Sequence, residues 1–249
     1  MRNWLFDSES PLIRGLSRFY DLLLLAVITS ICSIPIITAG AAITAMYDVM
    51  IRMALEKENG IIKTYFRAFG KNFGKSTLIW LICLVGIAFL GGNYYFLSQE
   101  LVGVPEALRT VITVIVFMVT IIFGFVLLYV FPLQARFENT VGTTVKNALF
   151  ISVAQFPRSI ALLFMHGIVV ALAVIAPGVI PLLLLVEFSL VSYYTAKNMV
   201  KVFAAFGDEE AKAGKRGAVD DEELVSEEND DIGENSEDEK KEPDGQESL

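Results

Sequence analysis

The stretch from Ile34 to Leu55, IPIITAGAAITAMYDVMIRMAL, decides the fold, because whether it lies on a membrane or crosses one sets the sidedness of everything around it. Before it runs an apolar segment, Leu22 to Ile37, broken only by Thr29, Ser30, Ser33 and Pro35, and after it comes a basic one. The stretch is mostly apolar yet carries Asp48 and Arg52. A charge at mid-bilayer costs roughly 2.5 to 3.5 kcal/mol on insertion scales, so both residues must face protein, water or each other. Four positions apart on a helix, they are placed to pair, and the plain structural reading is an ion pair that steadies the helix by a few tenths of a kcal/mol.

Composition excludes an ordinary soluble domain. Of 249 residues, 54% are hydrophobic and 19% charged, and the mean hydropathy is +0.57. The net charge of -8 combines two unlike parts. Residues 207–249 hold 18 Asp and Glu against 5 Lys and Arg, so the remainder is net basic. The tail is poor in apolar and aromatic residues and is expected to be disordered, because it cannot bury enough surface to fold. Residues 1–206 are expected to form the helical membrane domain. Cys32 and Cys83 sit inside apolar runs and read as packing thiols, with neither disulfide nor zinc spacing. The N-terminus reads as lacking a cleavable signal peptide.

Working outward, Trp4, Leu5, Phe6, Leu12 and Ile13 interleave with Asp7, Glu9 and Arg14, the pattern of an interfacial segment. Pro11 suits the first turn of a helix that runs into the first apolar segment, and Pro35 and Gly40 bracket the following turn. After EKENG, residues 61–73 place Ile62, Tyr65, Phe66, Phe69 and Phe73 at helical spacing, with Lys63, Arg67, Lys71 and Asn72 opposite. That predicts an amphipathic helix, basic on its wet face, suited to anionic headgroups. Residues 77–97 and 111–131 are each about the length that spans hydrocarbon. Residues 138–153 predict a second basic amphipathic helix, with Val141, Val145, Ala148, Leu149 and Ser152 on one face. Residues 160–176 and 179–194 form a last hairpin around Pro177 and Gly178.

Lys and Arg are rich at the N-terminus, over 57–75, over 136–158 and from Lys197 onward, and poor over 34–41, 98–108 and 176–178. If 41–55 crosses, every rich segment falls on one side. The fold class is therefore all-α, a polytopic membrane bundle of about six transmembrane helices, five if 41–55 lies flat, with two amphipathic helices on the cytoplasmic face. Both termini are expected in the cytoplasm and the 99–108 loop outside. With the first turn centred near Ile37, Asp21 and Arg52 fall at similar depth near the inner surface.

No glycine-rich phosphate loop or GxSxG motif is present, and one histidine cannot build a multi-histidine metal site. The chain reads as a non-enzyme without cofactor, metal or nucleic-acid partner. The intramembrane polar residues His166, Glu187, Asp48, Arg52 and Asp21 are the candidates for a mechanism. Each has a plainer reading: packing for the histidine, a hydrogen-bonded structural acid for Glu187, helix pairing for Asp48 and Arg52. His166 lies eleven residues before Pro177 and Glu187 ten after it, so a tight turn puts both at one depth near the bilayer middle. Gly40, Ala41, Thr44 and Ala45 permit close helix contact.

Four segments carry a resemblance: LFDSESPLIRGLSRFYDLLLL at 5–25, IPIITAGAAITAMY at 34–47, YFRAFGKNFGKSTLIW at 65–80 and FPLQARFENTVGTTVKNALFISVAQFPRSI at 131–160. Together they resemble the YesL-type bacterial membrane proteins, a family of unknown function. The resemblance implies no catalytic or binding residue; it implies an association with carbohydrate uptake. The acidic tail departs from the compact form of that family, and the last hairpin carries little of the likeness.

Two classes of function follow. One is a transport-associated protein, an accessory of a solute uptake system or a small permease, whose partners are the bilayer and transporter subunits or another membrane protein. The other is a non-transporting membrane scaffold or regulator. The sequence names no solute and no oligomeric state.

Overall fold

The computed structural model describes residues 11–57, 60–99 and 105–206, all helix and turn. The interfacial segment expected at Trp4, Leu5 and Phe6 and the acidic tail lie outside the described residues. The helices are α1 (Pro11–Cys32), α2 (Ala39–Ala54), α3 (Ile61–Ser98), α4 (Glu106–Arg136), α5 (Val141–Ala154), α6 (Phe156–Ile175), α7 (Ile180–Val186) and α8 (Ser192–Phe206). Short 3-10 turns occupy Ile36–Thr38 and Pro177–Val179, and a π turn, Glu187–Val191, joins α7 to α8. Six helical segments, with α7, the π turn and α8 counted as one, are long and apolar enough to cross a membrane. Of the described residues, those through Val202 belong to one compact unit.

Proline and hydroxyl chemistry set the first hairpin. Pro11 opens α1 at a position where its missing N–H costs nothing. Pro35 disfavours helix at the residue before it, and α1 stops at Cys32. Thr38 Oγ1 lies 2.6 Å from the Cys32 carbonyl and 2.8 Å from that of Pro35, so its single proton is shared across the turn.

α2 ends on a Schellman arrangement. Lys57 N–H donates to Arg52 O at 3.0 Å, Glu56 N–H donates to Met53 O at 3.2 Å, and Glu56 itself takes φ 57°. The Arg18 guanidinium of α1 adds a 3.0 Å bond to Met53 O, a cation at the negative end of the α2 dipole. The left-handed residue that ends the helix is thus Glu56, while the glycine of EKENG, Gly60 (φ 69°), precedes α3.

α2 is the enclosed helix. Two-thirds of its span is buried (67%), against 11–28% for the other five. Small residues make this possible: Ala41, Ala42, Thr44 and Ala45 are fully buried, and a Cβ added at Gly40 would meet the Ser76 carbonyl oxygen at 2.5 Å and the Trp80 side chain. Met46, Met50 and Met53 fill the remaining gaps.

The basic amphipathic segment 61–73 is helical as expected, but it is not a separate element. It runs without a break into the apolar segment, giving a single 38-residue α3, about 57 Å long at 1.5 Å per residue. Gly70 and Gly74 lie in open space and do not interrupt the backbone ladder. α4 returns alongside the second half of α3: the Trp80 and Phe131 rings are 6.1 Å apart, the Phe123 ring closes over Gly86, and the Tyr94 hydroxyl bonds Thr120 at 3.2 Å.

Thr140 caps α5, accepting from Thr143 N–H at 3.4 Å. The face of α5 that packs inward is Thr144, Ala148, Ile151 and Ser152; of the expected Val141, Val145, Ala148, Leu149 and Ser152, Ala148 and Ser152 are buried, Val141 and Val145 half-buried and Leu149 exposed. Leu149, Phe150 and Val153 are exposed. The physical reason is the solvent: beside hydrocarbon the outward face is also apolar, so an apolar stripe does not mark the core. Buried hydroxyls and an amide fix the junction. Thr144 Oγ1 donates to Gln134 Oε1 at 3.2 Å; Ser159 Oγ donates to Ser152 O at 2.7 Å and so accepts from the Tyr129 hydroxyl at 2.9 Å. These bonds hold the bend between α5 and α6. Elsewhere the outer surface is apolar, with Val85, Phe89, Phe117, Phe164 and Val174 all exposed, as befits a bundle in lipid.

Candidate functional site

The last hairpin brings its two polar residues together. His166 Nε2 on α6 lies 3.3 Å from Glu187 Oε1, and both side chains are about one-fifth exposed (19% and 20%). The helices place them by the tight Pro177–Val179 turn, which keeps α6 and α7 in register. Glu187 begins the π turn, and the Ser192 N–H donates to the Glu187 carbonyl five residues back. A π turn inserts one residue into the helical phase. Here it stacks Ser192 under Glu187, and Ser192 and Thr195 in the first turn of α8 are buried. On α2, Tyr47 meets Ser192 and Thr195 and lies in the field of Glu187. The polar groups therefore run from His166 at the bundle flank, through Glu187, to Tyr47 of the enclosed helix.

The histidine's other nitrogen defines the chemistry. His166 Nδ1 is 3.0 Å from the Leu162 carbonyl, which can only accept, so Nδ1 carries a hydrogen. With Nδ1 protonated, the contact to Glu187 needs one more proton between the two groups. Either the carboxylic acid donates to Nε2, or the imidazolium donates to the carboxylate. Without that proton two acceptors face each other. The pair is thus built to hold one shared proton inside the bundle. Glu187 Oε2 is buried and has no hydrogen-bond partner among the described residues.

Asp48 and Arg52 form an i,i+4 ion pair at 2.9 Å, with Asp48 mostly buried and Arg52 partly exposed. This pair lies on α2 and does not join the His166–Glu187 site. Asp21 is half-buried on α1 and makes no ion pair with Arg52 among the described residues. Arg18 of α1, one turn earlier, does bond α2, through Met53 O. Depth alone put Asp21 near Arg52; the i,i+4 geometry within α2 satisfies Arg52 first.

Sequence reasoning missed Tyr47, Ser192 and Thr195. Their spacing relative to Glu187 is legible only with the extra residue of the π turn. Among the described residues, no cluster of three or more His, Cys, Asp or Glu could hold a metal.

Residues 20–94 match the sequence model of a family described as "Protein of unknown function, DUF624". The match covers the C-terminal part of α1, all of α2 and most of α3, the part of the bundle that contains the enclosed helix, and stops before the His166–Glu187 hairpin. No curated protein and no solved structure matches the chain.

Proposed function

We propose that the protein is a multi-pass plasma-membrane accessory of a solute uptake system, one linked to carbohydrate uptake, with both termini in the cytoplasm. The observation that carries this reading is the enclosure of α2. The middle of the α1–α4 packing is filled by Gly40 against Ser76 and Trp80 and by buried Met46, Met50 and Met53, an arrangement suited to a rigid subunit. A second support is the cationic face of α3, where Lys63, Arg67, Lys71 and Lys75 recur every four residues and stand exposed on the basic side. Such a face suits contact with a transporter's inner surface. The carbohydrate link rests on the resemblance to YesL-type proteins by association; the family matched by residues 20–94 is one of unknown function and adds nothing to it.

One observation favours a second reading, a small proton-coupled permease: His166 Nε2 and Glu187 Oε1 lie 3.3 Å apart at the start of the only π turn among the described residues, a geometry suited to one proton between them. Purification from native membranes separates the two. Stoichiometric copurification with transporter subunits, and no solute flux by the pure protein in liposomes, is the result the accessory reading expects. Flux by the pure protein would replace it with the permease. Neither a copurifying transporter nor flux would leave a scaffold or regulatory role.

A further inference from the structure

We propose that the buried Glu187 Oε2 and the hydroxyls of Tyr47 and Ser192 hold a bound water between the π turn and the enclosed helix α2, so that the His166–Glu187 pair has water on its inner side. The inference rests on the geometry of the polar site and on neither reading of the function. It begins from an oxygen that the pair does not use. Glu187 Oε1 faces His166 Nε2 at 3.3 Å, while Oε2 is buried and has no hydrogen-bond partner among the described residues. A buried oxygen without a donor forfeits the hydrogen bonds it makes to water in the unfolded chain, and the loss is larger when the group is charged.

The hydroxyls of the membrane helices are mostly satisfied within their own helix. Thr44, Thr120, Ser189 and Thr195 each donate to the carbonyl four residues back, at 2.8, 2.8, 2.5 and 2.9 Å. Thr195 has therefore given its one proton to Val191 and can only accept from Tyr47. The Tyr47 hydroxyl lies against those of Ser192 and Thr195. The π turn places Ser192 five residues after Glu187, with its N–H on the Glu187 carbonyl. Three hydroxyls thus gather in the field of a carboxyl whose second oxygen bonds none of them. Tyr47, Ser192 and Thr195 are 6%, 2% and 0% exposed, so bulk solvent does not serve the site.

Water is the ligand that this set of groups fits. A buried water typically makes about three hydrogen bonds to polar groups that the protein leaves unpaired. Here it donates to Oε2, accepts from one of the Tyr47 and Ser192 hydroxyls and gives its second hydrogen to the other. It also serves both arrangements of the pair. When the acid donates from Oε1 to His166 Nε2, Oε2 is a carbonyl oxygen; when the imidazolium donates, Oε2 is a carboxylate oxygen; a water hydrogen satisfies either. A multivalent metal ion lacks ligands, since no group of three or more His, Cys, Asp or Glu among the described residues could hold one. The water, Glu187 and His166 then form one hydrogen-bonded chain from α2 to the flank of the bundle.

The test is infrared difference spectroscopy on the full chain in detergent, between acidic and alkaline samples, with the Glu187 carbonyl or carboxylate stretch identified by its loss in Glu187→Gln. Tyr47→Phe and Ser192→Ala each remove one hydroxyl and keep the packing. Each is expected to move the Glu187 stretch to higher frequency, and Ser192→Thr, which restores the hydroxyl, to return it. Ser189→Ala removes a hydroxyl of the same turn that is committed to Leu185, and is expected to leave the stretch in place. In water labelled with heavy oxygen, a bound-water O–H stretch is expected to shift in the unmutated protein and to be absent from Glu187→Gln. The Tyr47→Phe shift is expected to persist in a His166→Ala background, because Oε2 has its own partner. No solute is present, so the flux measurement and this one fail separately. A stretch unmoved in both Tyr47→Phe and Ser192→Ala overturns the proposal, as does an equal shift in Ser189→Ala, which marks a general disturbance of the turn. Shifts in the variants without a heavy-oxygen-sensitive water stretch overturn it in favour of hydroxyls that bond Oε2 directly.

Discussion

The Trp80 indole donates to the Ile36 carbonyl across 44 residues of sequence, at 2.6 Å, and so pins the first turn of the chain to the centre of its longest helix. Gly40, one turn further on, lets the backbones of α2 and α3 approach at the same level.

That close approach makes Gly40 the least replaceable glycine of the core. A Cβ there meets the Ser76 backbone oxygen at 2.5 Å, whereas at Gly86 it meets the far edge of the Phe123 ring, which can shift. Gly40→Ala is expected to destabilise the protein in detergent by about 2 kcal/mol or more, and Gly86→Ala by less, since overpacking typically costs 1 to 3 kcal/mol. Thermal unfolding of the two variants side by side checks the order, and equal shifts would contradict the packing account.

The end of α2 offers a stabilising change. Glu56 holds φ 57°, where a side chain is strained and glycine is the usual occupant of a Schellman terminus. Its side chain is exposed, so little packing is lost. Glu56→Gly is expected to raise stability by about 0.5 to 1 kcal/mol, since a left-handed conformation costs an L-residue roughly 1 to 2 kcal/mol and glycine's extra freedom in the unfolded chain takes part of that back. An unchanged or lower melting temperature would show that the strain is absent.

Outside the membrane spans, Lys71 Nζ and Glu138 Oε1 are 2.6 Å apart, linking α3 to the α4–α5 loop. The Lys71 hydrogen bond and charge, helped by Lys75, hold the Glu138 carboxyl below the usual range. A carboxyl lowered on folding contributes stability that is present above its unfolded value and is lost as pH falls through its folded one. Both groups are exposed, at 59% and 73%, so the contribution is expected to stay under about 1 kcal/mol. Glu138→Gln should cost that small amount at pH 7 and nothing once the acid is protonated; a loss that persists at low pH would mean the carboxylate is not its source.

Much of the fold was legible from two signals that survive in any bilayer, apolar length and the placement of Lys and Arg. The equal depth of His166 and Glu187 followed from a tight turn and simple counting. The continuity of α3 did not, because Lys71, Gly74 and Lys75 mark a change of environment, and a change of environment looks like a chain break when only composition is read. The enclosure of α2 was hidden for a related reason: Ala42 and Met50 facing protein and Val85 facing the outside have the same polarity. The π turn after Val186 leaves no trace in EFSLV, so Tyr47, Ser192 and Thr195 could not be assigned to Glu187 in advance.

The His166–Glu187 contact is the polar centre of the bundle, and a double-mutant cycle tests it directly. His166→Ala, Glu187→Gln and the double variant are compared by thermal unfolding in one detergent. A shared proton across 3.3 Å predicts coupling of about 0.5 kcal/mol or more, in the range of hydrogen bonds measured within membranes. Strictly additive effects would show that the two side chains stand close without interacting, and would remove the polar site from the bundle.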